Sequence, residues 1–168
     1  LLLFVGDGRS RRKGYDLLAS AVRSQPSRRF TLLLVGDLEG AWVPENAIRF
    51  GSVSDPAKLA AIYGAADAIA IPSREENLAL TFIDSQMCRT PALVFTVGGL
   101  TENLRDGENG ILAGEPSETS LAVALGRWLE VAGSFDREEI ARRAADRFSW
   151  SALGPRYLAQ YRELVEAG

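Results

Sequence analysis

The chain has 168 residues, 46% hydrophobic and 24% charged, which is one domain's worth of sequence with enough apolar content for a core. Its net charge of −3 argues against a nucleic-acid partner and requires that any bound anion be met by a local cluster of cations. A single cysteine, Cys88, and the absence of histidine exclude an internal disulfide, a cysteine-rich metal site and the commonest general base.

The chain starts at LLLFVGD, inside what reads as a core strand, so a piece of a longer protein beginning at a domain boundary is expected. Leu1–Val5 is a short apolar run ended by Gly6, which suits a buried strand. Tyr15, Leu18, Ala19 and Val22 then recur at helical spacing over Gly14–Val22. Phe30–Val35 reads as a second strand, again ended by Gly-Asp, and Ile48–Phe50 as a short third. Asp55 and Pro56 are a helix start, with Asp as N-cap and Pro in the first turn, and the helix runs to about Tyr63. Asp67–Ile71 is a fourth strand stopped by Pro72, followed by a helix over Leu78–Cys88. Ala92–Phe95 is a fifth strand ended by Gly98-Gly99, with a short helix over Leu100–Leu104, a turn at Asp106–Gly110 and a last strand at Ile111–Leu112. Three helices complete the chain: Ser117–Val131, Asp136–Arg147 and Ser151–Val165. The last carries an apolar stripe of Leu153, Tyr157, Leu158, Tyr161, Leu164 and Val165, for which core packing is the expectation and docking on another domain the alternative. No apolar run approaches the roughly 20 residues of a membrane-spanning helix.

Strands alternating with helices predict an α/β fold, a parallel sheet covered on both faces that binds ligands at the carboxyl ends of its strands. The loops after the strands therefore hold the candidate chemistry. In the first, Arg9, Arg11, Arg12 and Lys13 place four cations within five residues just before a helix, a pattern suited to a diphosphate. A solvated basic turn is the plain alternative. Gly6 and Gly8 match the first two glycines of a dinucleotide fingerprint, with Asp37 as the ribose-binding acid, but Arg11 stands where the third glycine belongs. In the fourth loop, Glu76 and Asp84 lie eight residues apart. On one continuous helix they would be about 12 Å apart and rotated by roughly 80°. With the helix starting near Leu78, Glu76 instead sits above the strand end, and the two carboxylates suit the ends of an extended, hydroxyl-rich ligand. Gly98 and Gly99 are expected to let backbone approach a ligand and offer N–H groups to a phosphate.

Four segments, FVGDGRSRRKGYDLL, LLLVGD, AIPSREENLALTFIDSQMCRTPALVFTVGGLTENLRDGENGIL and RFSW, resemble in order the C-terminal half of family 4 retaining glycosyltransferases. The resemblance implies a Rossmann-like domain, one half of a GT-B fold, spanning residues 1–168, with the N-terminal acceptor-binding half lying outside this chain. It implies binding of a nucleoside diphosphate sugar as substrate, with no separate cofactor and no metal. Lys13 falls on the family's diphosphate-binding lysine. Glu76 falls on the first acid of its E-x7-E motif, near the transferred sugar, and these two are the expected catalytic residues. Asp84 replaces the second acid, which holds the donor ribose. Asn77, Leu78, Ala79 and Leu80 are expected to offer backbone N–H groups, Gly6, Arg9 and Arg12 to line the diphosphate turn, and Phe50, Val53 and Ser73 to lie by the base. The family commonly has arginine where Asp7 stands, and Arg89 replaces a usual glycine before Thr90-Pro91. The implied role is sugar transfer to a saccharide or lipid-linked glycan in bacterial surface polysaccharide or glycoconjugate synthesis, in the cytoplasm, with any peripheral contact to the inner membrane face made by the other half. A sugar-nucleotide epimerase or phosphorylase of the same architecture, a dinucleotide-binding module and a docking module without catalysis are the rivals.

Overall fold

The computed structural model describes residues 1–25 and 30–166. Six strands, β1 (Leu2–Val5), β2 (Leu32–Val35), β3 (Ile48–Gly51), β4 (Ala68–Ile71), β5 (Ala92–Val94) and β6 (Gly110–Leu112), form one parallel sheet in the order β3-β2-β1-β4-β5-β6. Seven helices are interleaved among the described residues: α1 (Tyr15–Arg23), α2 (Pro56–Ala65), α3 (Leu80–Met87), α4 (Leu100–Asn103), α5 (Glu118–Val131), α6 (Arg137–Phe148) and α7 (Trp150–Glu166). This is the Rossmann-like α/β arrangement, with its strand order reversing at the β1–β4 pair.

The central strands are apolar at every position because both faces are covered. Leu2, Phe4, Leu32, Leu34 and Leu93 point to one layer, against Tyr15 and Leu18 of α1 and Leu121, Leu125 and Trp128 of α5. Leu3, Leu33, Ile69, Ile71 and Val94 point to the other, against Ile62 and Tyr63 of α2, Phe82 of α3 and Leu100 of α4. The pairing Leu2↔Leu32 on one side and Leu2↔Ala68 on the other aligns the ends of β1, β2 and β4, so the loops that follow β1 and β4 rise side by side. Residues 6–14 and 72–79, far apart in sequence, become neighbours by this one topological fact.

Asp55 caps α2 as expected, accepting from the Ala57 N–H at 2.9 Å. Two expectations are corrected. Helix α3 begins at Leu80 rather than Leu78, because the preceding backbone is held elsewhere: the Gly99 N–H donates to Asn77 O at 2.9 Å, and Ala79 is buried in extended conformation. The stripe on the last helix is not core. No residue of α7 is buried, and Tyr157, Leu158, Tyr161, Leu164 and Val165 are all exposed. The helix begins after Ser149 and packs mainly on α6. Among the described residues no helix is long and apolar enough to cross a membrane.

Candidate functional site

The cationic loop is a short 3-10 turn, Arg11–Lys13, closed by Gly14 in the left-handed conformation (φ 68°). That conformation seats the turn on the end of β4: a Cβ on Gly14 would lie 1.8 Å from Pro72 O. The turn thereby delivers Lys13 Nζ to Glu76 Oε2 at 2.9 Å. Arg12 Nη1 donates to the same oxygen at 3.3 Å and to Glu75 O at 3.4 Å, and the hydroxyl of buried Ser73 donates to Oε2 at 3.3 Å. The Glu76 side chain is only 10% exposed, the Lys13 side chain 23%. Burial raises the Glu76 carboxyl, but the hydrogen bond and charge of Lys13, with Arg12 and Ser73 behind them, outweigh it and hold the group below the usual carboxylate range. Lys13, Arg12, Ser73 and Glu76 form one cluster at the carboxyl ends of β1 and β4, where such sheets take ligands.

Arg9 does not join it. Its guanidinium donates to Asp37 at 2.6 Å and lies 3.7 Å from Asp7, so it is engaged by the acids that follow β1 and β2. The same pairing occupies Asp37, the residue a dinucleotide site would need for ribose. The third-glycine position of that fingerprint, Arg11, lies in the 3-10 turn ahead of α1 rather than at a close helix–strand contact. Gly6 ends β1 in extended backbone, its N–H donating to Val35 O at 2.9 Å.

Gly98 and Gly99 serve the protein itself. Cβ atoms there would lie 1.8 Å from Glu76 O and 2.1 Å from Asn77 O, so the β5–α4 loop packs directly on the backbone of the Glu76 loop. The close approach these glycines permit in the structure is to this neighbouring loop. That contact fixes residues 76–79 in extended form. The N–H groups of Phe82 and Ile83 turn back to Ala79 O at 2.9 and 3.3 Å, and those of Leu80 and Thr81 have no acceptor among the described residues. Leu78 and Leu80 are exposed on this rim.

Asp84 lies in the second turn of α3 and, among the described residues, makes no hydrogen bond or ion pair with the Lys13 cluster. Its charge acts on Tyr63 and Cys88, whose phenol and thiol burial first and Asp84 second push up. Partial desolvation raises the Asp84 carboxyl as well, although the residue as a whole is exposed. A raised folded-state carboxyl loses stability as pH climbs through its titration range, so Asp84→Asn is expected to stabilise the chain at pH 7 and to match it at pH 3. Because the residue is exposed, solvent screening limits the gain to under about 1 kcal/mol, a rise in Tm of ~1–4 °C. Thermal unfolding at both pH values checks this; a lower Tm for the variant at pH 7 would mean that Asp84 already makes a stabilising contact. Phe50 and Val53, beyond the edge strand β3, are half-buried against the layer of Leu33 and Ile62.

One residue at the site escapes a reading of the sequence. Arg74, two positions before Glu76, forms a two-pronged ion pair with Asp16 of α1 at 2.8 and 2.6 Å and donates to Arg11 O at 2.6 Å. Its only local signal was a charge next to Pro72-Ser73. A cleft of about 350 Å³ between α3, α6 and the α4–β6 loop shares no residue with this cluster. Of its arginines, Arg142 and Arg143 pair with Glu139, Asp146 and Glu108. Among the described residues no group of histidine, cysteine and carboxylate side chains is arranged to hold a metal ion.

The same architecture recurs in solved proteins. Sucrose-phosphate synthase (tll1590) from Thermosynechococcus elongatus superimposes with a TM-score of 0.85 at 27% identity, over 99% of this chain and 46% of that one. Anabaena Alr3699/HepE, solved in complex with UDP and with UDP-glucose, has the same fold, with a TM-score of 0.80 at 20% identity over 96% of this chain and 48% of its own. Among curated relatives, the D-inositol 3-phosphate glycosyltransferases of Segniliparus rotundus and Acidothermus cellulolyticus are 33% and 32% identical over 93% and 91% of this chain. The chain spans 38% and 39% of the length of those two relatives. The family model described as Glycosyl transferases group 1 matches residues 1–131. With most of its length inside that model, the chain belongs to the group 1 glycosyl transferases.

Proposed function

We propose that residues 1–168 form the C-terminal, donor-binding half of a retaining GT-B glycosyltransferase of family 4, and that the Lys13–Glu76 cluster receives the nucleoside diphosphate sugar. The observation that carries this reading is the 2.9 Å contact between Lys13 and Glu76, residues 63 apart in sequence that the β1–β4 adjacency brings to the sheet's switch point. Lys13 and Arg12 neutralise charge as the diphosphate leaves, the main electrostatic contribution this half makes. The N–H groups of Leu80 and Thr81, at the start of α3, face the same anion. Glu76 adjoins the transferred sugar. Asp84, on α3, accepts hydrogen bonds from the ribose hydroxyls, and the loop of Phe50 and Val53 takes the base. No metal and no cofactor enter this scheme. The cations already in place suit a diphosphate.

The relatives' names support sugar transfer, and the UDP and UDP-glucose complexes of the Anabaena protein support a nucleotide-sugar donor. The acceptor, a saccharide or lipid-linked glycan in glycoconjugate synthesis, binds the half of the enzyme outside this chain, which also makes any contact with the inner face of the membrane. The exposed face of α7 is available to that half.

Titration calorimetry of this chain with UDP, GDP and ADP tests the reading. Binding of one nucleotide is expected at micromolar to millimolar Kd, about −4 to −8 kcal/mol, because half of the cleft is missing. No heat from any of the three at millimolar concentration, or tighter binding of NADH than of all three, overturns it.

A further inference from the structure

The turn that carries Lys13 and the loop that carries Glu76 are joined at more points than the Lys13–Glu76 pair itself. The Arg74 backbone N–H donates to Arg12 O at 2.9 Å. The Arg74 side chain then crosses the same gap: Nη1 donates to Arg11 O at 2.6 Å and to Asp16 Oδ1 at 2.8 Å, and Nη2 to Asp16 Oδ2 at 2.6 Å. One guanidinium therefore holds three elements: the loop after β4, the 3-10 turn after β1 and the first turn of α1. The Arg74 side chain is 23% exposed and that of Asp16 59%, so it is the two-pronged geometry, not burial, that sets this pair apart from an ordinary surface ion pair.

We propose that Arg74 is a positioning residue, anchored on Asp16, that sets the distance between Lys13 and Glu76; the consequence for ligand binding rests on the reading of this cluster as a diphosphate site. The chemistry favours arginine specifically. A planar fork can serve a carboxylate with two parallel bonds and still reach a carbonyl, whereas a lysine ammonium offers a single point of charge. The place also favours it. Arg74 lies two residues from Glu76, Arg11 and Arg12 are the two residues before Lys13, and Asp16 begins the helix that follows. A change in any of these bonds moves the turn relative to the carboxylate. Gly14, seated on Pro72 O, supplies the second point of attachment, so losing the Arg74 side chain loosens the turn rather than freeing it.

The direct readout is the titration of the Glu76 carboxyl, followed by carboxyl-carbon NMR in the wild-type chain, Arg74→Ala, Arg74→Lys and Asp16→Asn. If the Arg74 fork sets the Lys13–Glu76 distance, Arg74→Ala raises the Glu76 pKa, because the carboxylate loses part of the opposite charge held at contact. Asp16→Asn, which keeps Arg74 but weakens its anchor, shifts Glu76 in the same direction, and Arg74→Lys restores part of the wild-type value. A general loss of stability lowers Tm but leaves the Glu76 titration in the folded chain where it was. With UDP as the probe, the Kd for Arg74→Ala is expected to rise about tenfold, the order of effect that misplacing a binding group produces. An unmoved Glu76 titration in both Arg74→Ala and Asp16→Asn overturns the proposal. Should Arg74→Ala fail to fold, Asp16→Asn and Arg74→Lys decide it by the same criterion. If the wild-type chain binds no UDP while the Glu76 titration shifts as stated, the donor-site reading falls and the positioning role stands.

Discussion

Gly14→Ala is expected to unfold the chain at substantially lower denaturant than wild type, with a loss of ~2–4 kcal/mol and a drop in Tm of about 5–15 °C. Two effects add. The φ of 68° disfavours any residue with a Cβ, by roughly 1–2 kcal/mol. The new Cβ also falls 1.8 Å from Pro72 O and 2.8 Å from its carbonyl carbon. These are backbone atoms at the end of a central strand and cannot rotate aside, so the turn must lift away. Gly51→Ala is the control: its φ is 64°, but no atom lies within 4 Å of its would-be Cβ, so only the first effect applies. Gly98→Ala, where the Cβ would lie 1.8 Å from Glu76 O, should behave like Gly14→Ala. Urea melts of the three variants measure the difference. Equal losses for Gly14→Ala and Gly51→Ala would show that the contact with Pro72 carries no weight. Lifting the turn also carries Lys13 and Arg12 away from the end of β4, so Gly14→Ala should weaken nucleotide binding even where the variant remains folded.

The central strands are legible in the sequence because a parallel sheet buried on both faces leaves them no polar position: LLFV, LLLV, AIAI and ALV are runs that cannot face water. β3 is harder to read for the opposite reason. Its residues IRFG lie at the sheet edge with Ile48 and Arg49 exposed. The start of α3 is displaced by two residues because Gly98 and Gly99, 22 residues beyond Glu76 and Asn77, pack on that backbone, and no local propensity reports such a contact. In α7 the apolar stripe is readable and its orientation is not. Periodicity shows that a helix has an apolar face, but it does not say which surface covers it. The site divides along the same line. Four cations in one turn and two acids around an apolar run are visible as features. That Lys13 meets Glu76 while Arg9 turns to Asp37 depends on which strands are neighbours. Arg74 looked like any solvated charge, since its partner Asp16 lies 58 residues away.

The two halves of the Lys13–Glu76 pair should respond to substitution with opposite signs. The Glu76 carboxylate engages Lys13 and Arg12, the cations proposed above to hold the diphosphate, so on that reading carboxylate and diphosphate compete. Lys13→Ala removes the closer cation and leaves a nearly buried carboxylate with Arg12 and Ser73 alone. UDP affinity should fall at least ~30-fold, as expected when one partner of a buried, hydrogen-bonded charge pair is truncated. Glu76→Gln keeps the side chain's size and its reach to Ser73 but frees Lys13 and Arg12, so UDP should bind about 3–10-fold more tightly, a gain of about 1 kcal/mol. Sugar transfer by the full-length enzyme should nonetheless decline. The pH dependence follows from the lowered Glu76 carboxyl: its stabilising charge is complete above the ordinary carboxylate range and is lost as pH falls through the lower folded-state value. The stability advantage of wild type over Glu76→Gln should therefore shrink as the solution is acidified, and the gap in UDP affinity should close over the same interval. Scanning and titration calorimetry on the three proteins at pH 7 and at pH 3, below the ordinary carboxylate range, give both comparisons. If Glu76→Gln weakens UDP as much as Lys13→Ala does, the carboxylate supports the bound nucleotide instead of competing with it, and the diphosphate must lie elsewhere than on Lys13 and Arg12.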